Sequence, residues 1–380
     1  MPNLDHLISF PSPSPSSSTT PIPPSSSHIF VTDTLDSPAS FVLVHFLRAL
    51  YSSNRDNLNA SQAPQSKGKS SEPLSPEKRI VWLSSDGNGL THLKNLVRKS
   101  GINLDVEIHR GTFAYIDAQQ VILQSTSSPS SLATVGGPSS SRGPPPALEK
   151  MYNILAQKLD HFDNLRSSST ATDTTASCRD DNPWEARNLV ILDDLSALSW
   201  SLDATDSNGR ELNTAAQVCQ WVRAVRGVCA KTSSSFITLL HADATSASRT
   251  PSSSTSGPGA SDFSDETLFR SQIELADVWI EVKSLTSGRA RDCDGEICVH
   301  GLVRPSLAVA PSTTERDRSQ EDANHGCVPP IQAFAIDTPC AGRARAMLYR
   351  IAPDGIGPGG PGSGAGRVQV WARGTGRGFL

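Results

Sequence analysis

Asn188-Leu-Val-Ile-Leu-Asp-Asp-Leu195 decides how the rest of the chain is read. An apolar run this short, closed by two carboxylates, predicts a parallel strand buried on both faces, with its C-terminal end opening onto a crevice. In nucleotide-hydrolysing α/β proteins such a strand supplies the acid that holds magnesium. Asp193 and Asp194 therefore have two readings, as magnesium acids or as strand-end polar groups that cap the next turn. The choice depends on whether a phosphate cradle accompanies them.

A cradle would lie between the first strand and the first helix, where glycines let backbone N–H groups wrap the phosphates and a lysine neutralises them. His28–Thr32 reads as that strand, and Ser37-Pro38 as the start of a helix over Ala39–Tyr51. Between them stands Asp33-Thr34-Leu35-Asp36-Ser37-Pro38-Ala39-Ser40, with no glycine, no lysine and two carboxylates that would repel a triphosphate. Without a lysine the acid pair cannot organise phosphoryl transfer, which favours the structural reading. Ala63-Pro-Gln-Ser-Lys-Gly-Lys-Ser70 has a phosphate-loop tail, but no strand precedes it and Pro73 and Pro76 forbid the helix it needs. Gly357, Gly359 and Gly362 have dinucleotide spacing inside a Pro/Gly/Ser segment with no helix after it.

Working outward, Arg79–Leu83 predicts a strand, Leu90 to about Lys99 an amphipathic helix, and Leu104–Ile108 and Thr112–Ile116 further strands. Leu148–Leu165 and Glu211–Ala230 predict helices, Ser235–Leu240 a buried strand closed by His241, Thr267–Leu275 a helix and Asp277–Lys283 a strand. Arg291–His300 straddles Asp294-Gly295, a type I′ hairpin signal, and Gln332–Ile336, Ala346–Ile351 and Val368–Ala372 follow as short strands. The expected fold class is α/β: a mostly parallel central sheet flanked by helices, with an antiparallel C-terminal extension and no P-loop. Residues 1–27 are expected to be a disordered leader. Residues 28–380 form one domain with polar insertions near 52–78, 125–146, 167–182, 245–261, 305–330 and 353–366. The helix from Ala39 is apolar on more than one face, so neighbours or a second subunit must cover it.

The net charge of −4 argues against a surface that coats nucleic acid throughout. Seven unpaired-looking cysteines fit a reducing compartment, and neither a secretory leader nor a membrane span is expected. Cys293, Cys298, His300 and Cys327 are zinc-type ligands. About a turn at Asp294-Gly295, however, Cys293 faces Glu296 and Cys298 faces Arg291, so the thiols are not opposite and no metal is expected. His241 could be a switch or a base; the favoured reading is a hydrogen bond at a sheet edge. Arg367, Arg373 and Arg377 lie among glycines and Trp371, as in single-stranded RNA contacts, and equally as in a solvated tail.

Several of these stretches together resemble the Elongator complex protein 6 family. They are Ile29–Thr34 leading to Phe41–Phe46, Asn188–Leu198, Gln272–Gly288, Arg291–Ile297, Leu348–Ile351 and Val368–Gly374. The resemblance follows the order of all the expected elements and fails in the Ser/Pro-rich insertions. It implies a RecA-like fold without the P-loop, in a heterohexameric ring with the fourth and fifth Elongator subunits. That ring binds tRNA and serves the catalytic Elongator subcomplex, which modifies wobble uridines at carbon 5. It further implies no cofactor, no membrane, and a cytoplasmic and nuclear location. Rings of this type meet along crossover helices and strand ends, which directs attention to Phe41, His45, Arg223 and Arg226. The alternatives are an ATPase using Asp193 and Asp194 with a partner's basic residue, or an interaction scaffold without RNA contact.

Overall fold

The computed structural model describes residues 4, 7–11, 19–62, 77–126, 145–169, 186–202, 214–243, 245, 262–285, 292–302, 346–351 and 368–372. A short antiparallel pair, β1 (Phe10–Pro11) and β2 (Thr19–Thr20), precedes the main sheet. The chain continues through β3 (His28–Asp33), α1 (Ser40–Gln62), β4 (Arg79–Ser84), α2 (Gly89–Arg98), α3 (Leu104–Arg110), β5 (Phe113–Asp117), α4 (Ala118–Thr126) and α5 (Pro146–Ser169). Next come β6 (Asn188–Asp193), α6 (Leu195–Leu202), α7 (Thr214–Lys231), β7 (Ser235–His241), α8 (Asp262–Leu275) and β8 (Val278–Lys283). β9 (Gly295–Gly301), β10 (Met347–Ile351) and β11 (Val368–Ala372) complete the order.

Nine of these strands form one sheet in the order β11-β10-β9-β8-β3-β7-β6-β4-β5. The pairs from β8 to β5 are parallel, and those from β8 out to β11 are antiparallel. This is the α/β class expected from the sequence. The quoted strand, β6, sits between β4 and β7 and is buried from Asn188 to Leu192, as a strand covered on both faces must be. Alternate residues feed two cores. Ile80, Trp82, Leu189 and Ile191 join α1, α2 and α3, whereas Val81, Leu83, Val190 and Leu192 join α4, α5, α6, α7 and α8.

The second apolar face of α1 is covered from within the chain, because Leu4, Ile8 and Phe10 belong to the same core as Val42, Leu43, Val44 and Leu47. Residues 19–27, assigned by composition to a disordered leader, are tied to the sheet. Ala186 N donates to Pro23 O at 3.0 Å, Ser26 N donates to Ser234 O at 3.1 Å, and Ile22 is buried. Backbone pairing holds this segment where apolar content is low. α1 also runs past Tyr51 into the stretch read as an insertion. There Asn54 Nδ2 donates to Lys78 O and Asn54 Oδ1 accepts from Lys78 N, so polar residues join the helix to the base of β4.

Leu104–Ile108, expected as a strand, is the first part of helix α3. Its alternation of apolar and acidic residues mimics a period of two, but both ends are capped. Asn103 Oδ1 accepts from Asp105 N, and Gly111 closes the helix in the left-handed conformation at φ 74°. Helices α4 and α6 also went unforeseen; each begins directly at a strand end.

The hairpin is formed by β8 and β9, not about Asp294-Gly295. Glu281 lies opposite Cys298, Trp279 opposite His300, and Gly295 opposite Tyr349 of β10. Asp294 is built into the β10 edge: its N donates to Tyr349 O and its Oδ2 accepts from Ile351 N. Gly295 is required by close approach, since a Cβ there would run into Lys283 O and come within 2.8 Å of the Tyr349 ring. Gly295→Ala is therefore expected to cost about 1–3 kcal/mol, read as a lower urea midpoint. An unchanged midpoint would show that β10 yields freely. The expected strand Gln332–Ile336 and most of the insertions lie outside the described residues, among which no helix is long and apolar enough to cross a membrane.

Candidate functional site

In a parallel sheet the carboxyl ends of the strands converge on one edge, where open α/β folds place their ligands. Here β3 delivers Asp33, β6 delivers Asp193 followed by Asp194, β7 delivers His241, and the turn after β4 delivers Asp86. β7 lies between the first strand and the acid-bearing strand, so the His241 ring stands between the two carboxylates. Its Nδ1 is 2.5 Å from Asp33 Oδ1 and its Nε2 is 2.8 Å from Asp194 Oδ2. The side chains of Asp33 and Asp194 are 1% and 3% exposed, and that of His241 is 25% exposed. Only the doubly protonated ring donates from both nitrogens, so the geometry is that of an imidazolium clamped by two carboxylates.

The remaining carboxylate oxygens are also occupied. Asp33 Oδ2 accepts from Ala39 N at 2.8 Å, just ahead of α1. Asp194 Oδ1 accepts from Ser196 N at 2.8 Å in the first turn of α6. Ser196 Oγ in turn accepts from His241 N at 2.9 Å, Ser85 Oγ donates to Asp194 O at 2.8 Å, and Ala242 N donates to Asp33 O at 2.8 Å. Asp194 is thus the capping residue of the less exotic reading. His241 is a bridge at the end of a central strand rather than a hydrogen bond at a sheet edge. The peptide joining Asp193 and Asp194 is cis.

The two hydrogen bonds, to Asp194 and then Asp33, hold the His241 pKa up at about 11 against the effect of burial. With both nitrogens engaged and the proton held through neutral pH, the ring is no general base. Asp193 is different. Burial first, then the charges of Asp86, Asp194 and Asp33, push its carboxyl up to about 8, with only His241 opposing.

At the α1 start the loop's own carboxylate accepts the Ala39 N–H. An anion arriving here would meet the carboxylates of Asp33 and Asp194. Among the described residues, Asp33, Asp194 and His241 each have both side-chain polar atoms engaged within the chain.

The other sequence-derived positions lie elsewhere. Phe41 is half-buried, 5.0 Å centroid to centroid from Tyr349, so it braces the β10 edge from α1. His45, one turn on, is half-buried and 5.6 Å from the Phe46 ring. Arg223 is exposed and Arg226 half-buried on the outer side of α7. Arg367, Arg373, Arg377 and Cys327 lie outside the described residues, as do the Ala63–Ser70 segment and the Gly357–Gly362 run.

Sequence reasoning placed Asp193, Asp194 and His241 at neighbouring strand ends but did not join them to Asp33. The signal was present, because Asp33 and His241 are each the last residue of a buried strand. No family model matches the chain, and no curated protein matches it. Among solved structures it is similar to a KaiC-like protein of the hyperthermophilic archaeon Pyrococcus horikoshii, at 6% identity and a TM-score of 0.43, over 98% of this chain and 96% of that one.

Proposed function

We propose that this chain is a non-catalytic, RecA-like subunit of the Elongator complex. It assembles with the fourth and fifth Elongator subunits into a heterohexameric ring, in cytoplasm and nucleus, that handles tRNA during wobble-uridine modification. The observation that carries the non-catalytic part is the Asp33–His241–Asp194 clamp. A fold that turned over nucleotide would need donors and a cation free at this edge, and here they are spent on the chain's own carboxylates. The Elongator part rests on the sequence resemblance. Ring assembly is supported by the exposed outer side of α7, which offers Arg223 to a neighbour.

The test is co-purification with the other two ring subunits, with native mass as the readout. Association into the ring is expected, with no magnesium-ATP binding to the isolated chain. A chain that stays monomeric beside both partners would sink the proposal. The ATPase reading predicts instead that magnesium-ATP binds and that Asp193→Ala abolishes the binding. For the tRNA role, removing Arg367–Leu380 from the assembled ring should weaken tRNA binding and flatten its salt dependence.

A further inference from the structure

Away from that edge, the antiparallel half of the sheet brings together a second group that the proposed role does not use. β8 alternates between buried Val278, Ile280 and Val282 on one face and half-buried Trp279, Glu281 and Lys283 on the other. In the β8–β9 register Glu281 faces Cys298 and Trp279 faces His300, so Glu281, Cys298 and His300 share that second face. One ligand atom from each lies within 4.8 Å of the other two. The hairpin expected about Asp294-Gly295 would have kept Cys298 opposite Arg291; the true pairing opposes it to a carboxylate.

We propose that Glu281, Cys298 and His300 form a metal site for a zinc-type divalent cation, with the fourth position open to water. Thiolate, imidazole and carboxylate are the donor set zinc takes, and three protein ligands plus one open position is a recurrent arrangement. Ligand atoms around a tetrahedral zinc stand about 3.3–3.8 Å apart, so the group needs to close by only side-chain rotation.

Two further observations point to a ligand. His300 is 10% exposed, and its Nε2, buried and without a hydrogen bond, lies 3.5 Å from Glu281 Oε2. The His300 ring is already oriented. It stacks on Trp279 at 4.5 Å, and Trp279 Nε1 donates to Thr32 Oγ1 at 2.9 Å. Glu281 is orientated too, since Lys283 pairs with its Oε1 and leaves Oε2 toward His300. On binding, Cys298 Sγ ligates as the thiolate and its proton leaves to solvent. Carboxylate and thiolate then balance the divalent charge, with Lys283 retained on the far oxygen.

Cobalt(II) titrated into the full-length chain tests the site. One cobalt per chain is expected, with a thiolate-to-cobalt charge-transfer absorption that zinc abolishes by displacement. Cys298→Ser should remove that absorption, His300→Gln and Glu281→Gln should weaken binding by about tenfold or more, and Cys327→Ser should leave it intact. A wild-type chain without the absorption, or an absorption that survives Cys298→Ser, overturns the proposal. The wild-type chain gives a second measurement if a variant fails to fold. Zinc should protect Cys298 from alkylation, read by peptide mass, and unchanged alkylation would also overturn it.

Discussion

Replacing His241 by alanine should destabilise the fold by about 3–5 kcal/mol. The residue's own contacts do not explain a loss that large. Removing the imidazolium leaves the carboxylates of Asp33 and Asp194, almost fully buried, facing each other with no cation between them. Each still accepts one backbone N–H, from Ala39 and Ser196, but those bonds cannot neutralise two charges in a site of low polarity. Urea denaturation at neutral pH measures the loss. A triple variant adding Asp33→Asn and Asp194→Asn should recover part of it, since the amides keep the caps without the charge. Were His241→Ala to melt like the wild type, the clamp would contribute nothing, and the edge would be free for another ligand.

Stability should also fall as pH rises from 6.5 to 8, the reverse of what most carboxylate-paired folds do. Two strongly shifted groups dominate this window, and burial raises Asp33 in the same direction. The His241 pKa rises from 6.5 to about 11 on folding, so its contribution is fully present below pH 6.5 and is lost as pH climbs through 11. The Asp193 pKa rises from 3.8 to about 8, so folding takes up a proton throughout the interval and stability is lost as pH climbs through 8. Each group has a limiting slope of about 1.4 kcal/mol per pH unit. Asp193→Asn, an isostere of the neutral acid, should remove one of the two slopes and stabilise the protein at pH 7 by about 1–4 kcal/mol. Urea midpoints at pH 6, 7 and 8 for the two proteins decide it. A wild-type midpoint that rises with pH, or an identical slope in Asp193→Asn, would refute the assignment. A magnesium acid would in addition lose nucleotide binding in its amide variant, and magnesium-ATP binding separates the two readings.

The buried strands were legible because burial on both faces leaves a local trace, an unbroken apolar run such as Leu189–Leu192 or Phe236–Leu240. α3 misled because five residues cannot distinguish a period of two from a period of 3.6. Its Asn103 and Gly111 caps were the better signal. The pairing partner of β9 could not be read locally. Asp294-Gly295 is a good turn sequence, yet the glycine is there because Lys283 O and Tyr349 crowd it from two neighbouring strands.

By itself, then, the sequence determined the alternation of strands and helices and the α/β class, because each depends on residues adjacent in the chain. Only the tertiary structure decided what the acids at the strand ends do. Asp33, Asp194 and His241 are far apart in sequence and meet because β7 is inserted between β3 and β6. Strand order costs and gains its energy through contacts across the sheet, which leave no local pattern. The same holds for Glu281, Cys298 and His300, whose shared face follows from a register that is set by two strands together.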